Sequence, residues 1–330
     1  MNITEDFNKK DDKKRAITMG SFDALHKAHR LLIESTVEIS KQKNATPSAI
    51  TFCYKPNLKK KNNGKYILPK EEKIRLFEQM GIADLYLVFF DKKIKSMSAD
   101  QFVKDILVDN LGVTDLVLGD DARFGNDMLG VDELEKICKK HNVRFKVIGE
   151  VRINDKRVSS TLIREMLDKG IVGAELEQYL GRPYIISSEV VHGNNYGNKI
   201  GFPTANLEIG PEQIMPKNGV YYAECIIDGE KYVTAISIGN KPSVKNPHYG
   251  LEAHILDFDK NIYGKKITVI PKKYLRAEIK FDKIEDLVLQ MNSDVETVRK
   301  LSNGTLNWFS FYLIGINIIV SKALKLFNID

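Results

Sequence analysis

The sequence has few cysteines, the residues that form the disulfide bonds of small secreted domains and bind structural zinc. Its three cysteines, Cys53, Cys138 and Cys225, lie far apart and form no C-x-x-C pair. This spacing indicates neither a disulfide framework nor a zinc site, and it fits a reducing cytoplasm. Residues 1–14 are polar and lack the apolar core of a signal peptide. We therefore predict a solvated N-terminal arm and a cytoplasmic protein.

Long apolar runs are also scarce. One lies near the C-terminus, from Trp308 to Val320, and it is shorter than the roughly 20 residues that a membrane-crossing helix needs. For residues 303–330 we therefore favour a packed terminal helix or strand over an interfacial membrane contact or a spanning anchor.

The sequence has no strong excess of either charge, because its net charge is only +6 over 330 residues. The clearest basic cluster, from Lys55 to Lys65, has no interleaved aromatic residue before Tyr66. Such a cluster is typical of a solvated loop, and it would suit an anionic ligand such as a nucleotide. We predict no nucleic-acid partner and assign no oligomeric state.

The patterning predicts two domains of different class. Residues 15–180 alternate short apolar runs with amphipathic helical patterns, as in "RAITM" followed by "HRLLIESTVEISK". This alternation favours an α/β domain with a parallel sheet between helices. Residues 181–302 contain strands separated by turn signals such as Asp228-Gly229, then one helix, which predicts an antiparallel sheet or small β-barrel.

The stretch "GSFDALHKAH", residues 20–29, follows the first predicted strand and opens the first predicted helix. Gly20 permits a sharp turn, and Phe22 can cover the top of the sheet. His26 and His29 lie in the first helical turn, where free backbone N–H groups favour phosphate. Histidines spaced this way are often only surface or capping residues. The whole string, including Asp23, nevertheless resembles the G-x-F-D-G-x-H-x-G-H signature of nucleotidyltransferases, with alanines replacing two of its glycines.

Two further motifs accompany this signature. In "RVSSTLIREML", Ser160 and Thr161 begin a helical pattern and Arg164 lies one turn inside it. Alone this indicates helix capping, but with the histidines it resembles the second phosphate-binding motif of the same superfamily. In "LVLGDDARFGND", a strand ends in an acidic turn, which resembles the loop that contacts flavin and nucleotide through the positions of Asp121 and Phe124.

The stretch "HGNNYGNKIGFPTANL", residues 192–207, is the most specific motif in the chain. Pro203 restricts the backbone, so Thr204 and Asn206 can present their oxygen atoms on one side. These are hard ligands that suit Mg²⁺ carrying nucleotide phosphates. Generic turn chemistry explains single glycines here, but the string as a whole resembles riboflavin kinase. The loop glycines that precede or open "GFPTAN" are Gly193, Gly197 and Gly201.

Both resemblances together cover about residues 15–302, and their order is that of the bacterial bifunctional riboflavin kinase/FAD synthetase family. The resemblance implies a Rossmann-like FMN adenylyltransferase followed by a six-stranded kinase barrel. Riboflavin, FMN, FAD and ATP would be its substrates and products, with Mg²⁺ as cofactor. It further implies that Thr204 and Asn206 hold Mg-ATP, and that Glu252 is the base for the riboflavin 5′-hydroxyl.

For the adenylyl transfer, the resemblance implies that ATP is bound and polarised by residues from the first two motifs, with His26, His29 and Arg164 as the catalytic set. Lys55, in the flavin-contacting region, replaces a histidine usual in the family, and Tyr196 and Asn198 replace arginines. A competing hypothesis is a flavin-binding regulatory protein in which one module, more readily the adenylyltransferase, has degenerated.

Overall fold

The computed structural model describes residues 1–7, 11–53, 65–89, 91–193, 197, 200–210, 212–241 and 248–304. The chain divides into two compact units. The first comprises residues 1–166, 176–182 and 211–215, and the second comprises residues 167–175, 183–210 and 216 onward. This division is more interleaved than the single boundary predicted near residue 180. Lys55, Tyr196, Asn198 and the apolar tail from residue 305 lie outside the described residues.

A six-stranded parallel sheet forms the centre of the first unit, with strand order β1-β4-β3-β2-β5-β6. The strands are β1 Asn2–Thr4, β2 Arg15–Gly20, β3 Thr46–Cys53, β4 Asp84–Phe89, β5 Val113–Gly119 and β6 Arg144–Ile148. From β2 the chain adds β3 and β4 on one side, and it then returns to add β5 and β6 on the other side. The strand order therefore reverses between β2 and β5. The crevice beyond the carboxyl ends of such a pair is where open α/β sheets bind ligands.

The helices that connect these strands are α1 Lys27–Lys43, α2 Lys70–Gln79, α3 Lys92–Ser96, α4 Ala99–Gln101 with a π-helical continuation Phe102–Val108, and α5 Val131–Lys140. Helices α6 Ser160–Asp168 and α7 Gly173–Leu180 follow the last strand. A two-stranded hairpin, β7 Arg152–Ile153 and β8 Lys156–Arg157, precedes α6.

Two apolar cores cover the two faces of this sheet. Adjacent residues of β3 enter different cores, since Ile50 packs with Phe102 and Leu107 whereas Ala49 packs with Ile33 and Phe77. Successive side chains of a strand point to opposite faces, so helices pack on both sides of the sheet. The predicted α/β architecture is therefore confirmed.

The N-terminal residues differ from the predicted solvated arm. Strand β1 pairs in parallel with β4, with Ile3 opposite Leu85. Phe7 is buried, and its ring centroid lies 6.2 Å from that of Tyr86 and 5.9 Å from that of Phe102. A three-residue strand carries no periodicity that a sequence pattern could reveal, and the burial of Phe7 depends on distant residues.

The second unit is a closed barrel of antiparallel strands, ordered β10-β13-β12-β11-β14-β9 around its circumference. Its strands are β9 Ile186–Val191, β10 Ala205–Glu208, β11 Gly219–Ile227, β12 Glu230–Lys241, β13 His248–Ile255 and β14 Lys266–Arg276. Asp228 and Gly229, with φ of 50° and 87°, form the predicted turn between β11 and β12. Helix α8, Ile284–Ser302, follows the last strand. The predicted six-stranded barrel with a C-terminal helix is confirmed.

Candidate active sites

The first candidate site begins where β2 passes into α1. His26 precedes the helix, and its Nδ1 accepts a hydrogen bond from the His29 backbone N–H at 3.4 Å. The two imidazole rings are stacked, with centroids 3.8 Å apart. The helix cap therefore places both predicted histidines side by side at a helix N-terminus, where backbone N–H groups attract anions.

The turn that carries these histidines has an unusual backbone. Phe22 and Leu25 have φ values of 45° and 44°, in the left-handed region that residues with a Cβ seldom adopt. Both side chains are fully buried, and the Phe22 ring makes edge contacts with Phe77 and His29 at 5.2 and 5.0 Å. Such backbone strain costs about 1–3 kcal/mol per residue and persists where packing enforces it. Burial thus holds the turn in one conformation.

Burial also determines the charge of the two histidines. His26 is only 4% exposed, and the loss of solvation lowers its pKa to about 4. Burial, followed by the charges of His26 and Lys73, lowers the pKa of His29 well below its ordinary value. The His29 Nδ1 atom is buried without a hydrogen-bond partner. Both rings are therefore neutral near pH 7, with one N–H donor each.

A cavity of about 430 Å³ opens beside this turn. Ser159 caps α6, because its Oγ accepts the Leu162 backbone N–H at 3.2 Å, so the next two hydroxyls lie in the first turn of the helix at the cavity wall. Two helix N-termini, those of α1 and α6, thus border one cavity. Of the predicted residues, the cavity wall includes Gly20, His26, His29, Asp121, Phe124, Ser160 and Thr161.

Three predicted ATP ligands lie outside this wall. Phe22 is buried beneath the turn, and Asp23 forms an ion pair with Arg164. The other Asp23 oxygen accepts the Ile67 backbone N–H at 3.1 Å, and Arg164 also donates to the Lys65 carbonyl at 2.9 Å. In the structure this pair links the turn, α6 and the chain at residues 65–67. Direct contact of Phe22, Asp23 and Arg164 with ATP stays a prediction.

Arg157 is a cavity residue that the sequence analysis missed. Its guanidinium lies 2.9 Å from Asp120 and 3.2 Å from Asp121, and all three residues line the cavity. The only sequence signal was a basic residue two positions before Ser159. The approach of the β7–β8 hairpin to the end of β5 is a tertiary contact, which no local pattern reveals.

The second candidate site is assembled by strand register in the barrel. Asn206 on β10 is paired with Glu252 on β13, and Glu252 is paired with Ser237 on β12. Paired residues in neighbouring strands project from the same face of the sheet. Thr204, directly before β10, and Glu252 both line a cavity of about 220 Å³. Residues 46 positions apart in sequence, Asn206 and Glu252, thus become direct neighbours.

The loop glycines lie close to the predicted phosphate ligands. A Cβ atom at Gly193 would lie 2.1 Å from the Asn206 carboxamide nitrogen. At Gly197 it would lie 2.2 Å from the Phe202 carbonyl oxygen and 3.2 Å from Thr204 Oγ1. The separations of 2.1 and 2.2 Å are shorter than real Cβ contacts, so a side chain at either position would force the loop or the "GFPTAN" segment to shift. Gly201 instead has a φ of 84°, which favours glycine on backbone grounds.

One hydrogen bond fixes the proline segment of this site. His254 Nδ1 donates to the Pro203 carbonyl at 2.8 Å, and its ring also contacts Phe202 at a centroid distance of 5.4 Å. The rest of the cavity wall is mostly apolar, with Ile236 from β12 and Leu287, Met291 and Val295 from α8. This cavity can hold a flat apolar group next to a carboxylate and a hydroxyl.

The fold and these two sites define a two-unit protein that combines a nucleotidyltransferase-type parallel sheet with a kinase-type barrel. A family model for FAD synthetase matches residues 8–162, and one for riboflavin kinase matches residues 180–302. The chain belongs to the family of bifunctional riboflavin kinase/FMN adenylyltransferases. The resemblance predicted from the motifs is therefore confirmed.

Similar proteins extend over nearly the whole chain. The bifunctional riboflavin kinase/FMN adenylyltransferase of Buchnera aphidicola subsp. Schizaphis graminum is 33% identical over 303 residues, which is 89% of this chain and 96% of the relative. That of Escherichia coli (strain K12) is 33% identical over 289 residues, which is 86% of this chain and 91% of the relative.

A similar solved structure is the crystal structure of a macrolide-efflux protein from Streptococcus pneumoniae. Its TM-score is 0.81 at 27% identity, and the match covers 90% of this chain and 98% of that one. In the described part of the present chain, no helix is long and apolar enough to cross a membrane.

Proposed function

We propose that the barrel phosphorylates riboflavin to FMN and that the parallel-sheet unit then adenylylates FMN to FAD, with ATP as the donor in both reactions. The observation that carries this division is that each unit contains its own cavity, lined by the motif that its chemistry requires. Glu252 and Thr204 line one, and His26, His29 and the α6 hydroxyls line the other.

In the kinase reaction, the Glu252 carboxylate accepts the proton of the riboflavin 5′-hydroxyl as that oxygen attacks the γ-phosphorus of ATP. The bond between the γ-phosphorus and the bridging oxygen breaks, and ADP leaves. Thr204 and Asn206 hold the nucleotide phosphates beside Glu252, which is supported by the Asn206–Glu252 strand pairing. The apolar wall formed with α8 takes the isoalloxazine ring.

The donor set fits a magnesium ion carried by the nucleotide. The side chains beside the glycine loop offer a hydroxyl and a carboxamide oxygen, which are hard ligands. Within the described ranges, no group of three or more His, Cys, Asp or Glu side chains could hold a metal ion. Thr204 and Asn206 would therefore share the ion with phosphate oxygens, as is usual for Mg²⁺. When bound, the ion neutralises phosphate charge.

In the adenylyl transfer, an FMN phosphate oxygen attacks the α-phosphorus of ATP, the α–β phosphoanhydride bond breaks, and pyrophosphate leaves. The neutral imidazoles of His26 and His29 donate N–H groups to the phosphates, and Ser160 and Thr161 add hydroxyl donors at the second helix N-terminus. The flavin lies toward the end of β5, near Asp121 and Phe124. No covalent enzyme intermediate is required.

The test is to incubate the purified chain with riboflavin, ATP and Mg²⁺, and to separate the flavins by chromatography. FMN should form first and FAD should follow. A second incubation with FMN in place of riboflavin should give FAD directly. Flavin binding with neither product would contradict the proposal and favour a regulatory flavin-binding protein.

A further inference from the structure

A second carboxylate, that of Glu278, lines the barrel cavity together with Glu252. It lies directly against Gly239 of β12, since a Cβ atom at Gly239 would be 2.0 Å from Glu278 Oε1 and 2.6 Å from Oε2. The φ of Gly239 is not in the left-handed region, so the backbone does not require glycine there. The glycine instead leaves the space that the carboxylate occupies.

The chain just before Glu278 is firmly held. Arg276, the last residue of β14, is paired with Val220 on β11. Its guanidinium contacts the Asp294 carboxylate of α8 through Nε at 2.9 Å and Nη2 at 2.6 Å. Because Asp294 is buried, this two-point pair anchors the strand end to the helix. Glu278 follows two residues later, so its place in the cavity wall is a consequence of the barrel closure.

Among the described residues, no hydrogen bond or ion pair of the Glu278 carboxylate is found, and Glu278 is exposed, so its oxygen atoms are open to the cavity and to solvent. Strand register gives its position relative to Glu252. Ser237 is paired with Glu252, and Gly239, two residues further along β12, is paired with Gly250. Two residues along a strand return to the same face after about 7 Å. The two carboxylates therefore line one face of the cavity, and their positions along β12 differ by one two-residue repeat of the strand, about 7 Å.

We propose that Glu278 is a specificity-determining residue that accepts hydrogen bonds from the secondary hydroxyls of the riboflavin ribityl chain. This inference rests on the proposed function, in which Glu252 receives the 5′-hydroxyl. With the 5′-hydroxyl at Glu252, a carboxylate one repeat along the strand faces the next part of the substrate, which is the polyol chain. An ionised carboxylate only accepts hydrogen bonds, and the secondary hydroxyls are donors.

Such an acceptor discriminates against a substrate that lacks the hydroxyls. Glu278 is exposed in the free chain, so its carboxylate loses water only when a substrate covers it. A substrate with secondary hydroxyls replaces that water with hydrogen bonds, whereas the deoxy analogue does not. The informative analogue is an isoalloxazine with a terminally hydroxylated pentyl chain. It keeps the reacting hydroxyl and the ring, and it lacks the three secondary hydroxyls.

The experiment compares kcat/KM for riboflavin and for this analogue in the full chain and in Glu278→Ala. The unmodified chain should prefer riboflavin, and Glu278→Ala should reduce that preference by about 10- to 100-fold, mainly by raising KM for riboflavin. Gly239→Ala should do the same, because its new methyl group displaces only the end of a flexible side chain. Glu285→Ala on α8, an exposed carboxylate outside the cavity wall, is the matched control and should keep the preference.

An unchanged preference in both Glu278→Ala and Gly239→Ala would overturn the inference. So would an equal loss of kcat on both substrates with an altered pH profile, because Glu278 would then serve as the base. If the unmodified chain forms no FMN from riboflavin, the proposed function itself fails, and this outcome is separate from a failure of the Glu278 assignment.

Discussion

Replacing His26 by asparagine should make the parallel-sheet unit less sensitive to acid. Asparagine is a good N-cap residue, so the start of α1 is retained while the titrating imidazole is removed. Burial lowers the folded-state pKa of His26 from 6.5 to about 4. Below pH 6.5 the unfolded chain therefore binds a proton that the folded chain does not, and protonation favours unfolding.

The size of this effect follows from the two pKa values. The full shift corresponds to about 3 kcal/mol, reached as the pH falls through 4, because one pKa unit is worth about 1.4 kcal/mol. At pH 5 the unfolded imidazole is almost fully protonated and the folded one is still neutral, so about 2 kcal/mol of stability is lost relative to pH 7.5. The His26→Asn protein should lack this part of the loss.

The measurement is native-state amide hydrogen exchange of β2 and β5 at pH 7.5 and pH 5, corrected for the intrinsic rates, which reports on opening of this unit alone. The imidazole of His26 can also be followed directly by NMR, and it should not titrate above pH 5. An equal loss of stability in both proteins, or an imidazole midpoint near 6.5, would show that His26 is not buried as the structure has it.

Three further predictions concern the division of the chemistry. Glu252→Gln should abolish FMN formation and spare adenylylation of supplied FMN. His29→Ala should slow only FAD formation, on the order of ten- to a thousandfold. Equal damage to both steps by Glu252→Gln in a folded protein would refute the division. Gly197→Ala should suppress FMN formation because its Cβ would lie 2.2 Å from the Phe202 carbonyl oxygen, and Gly210→Ala, with open space around it, should not. Deleting residues 308–330 should spare both reactions, and loss of FMN formation by a folded truncated chain would contradict the predicted domain limits.

The sequence was sufficient to predict the class of each half of the chain. Alternating β and α patterns predicted the parallel sheet, and turn signals between short strands predicted an antiparallel sheet or small barrel, because both depend on local periodicity and local turn chemistry. The closed six-stranded barrel was implied only by the family resemblance. The edge strand β1 and the burial of Phe7 were missed. Their stability comes from pairing with β4 and packing on Phe102, which are contacts between distant residues.

The motifs likewise identified which residues to examine, since His26, His29, Ser160 and Thr161 all reach one cavity wall. Only the tertiary structure decided which side chains share a site and in which protonation state. The Asp23–Arg164 ion pair places two predicted ligands outside the cavity wall, and burial makes the histidines neutral.

In the barrel, "GFPTAN" was singled out because the whole string resembles riboflavin kinase and because Pro203 restricts its own backbone and that of Phe202. The local sequence contained no sign that the Glu278 carboxylate would lie against Gly239, because strand register and barrel closure bring together two positions that are 39 residues apart. Local sequence therefore determined the elements and the chemical groups at their ends. The strand order that places β2 beside β5, and the closure of the barrel, determined which of those groups line the same cavity.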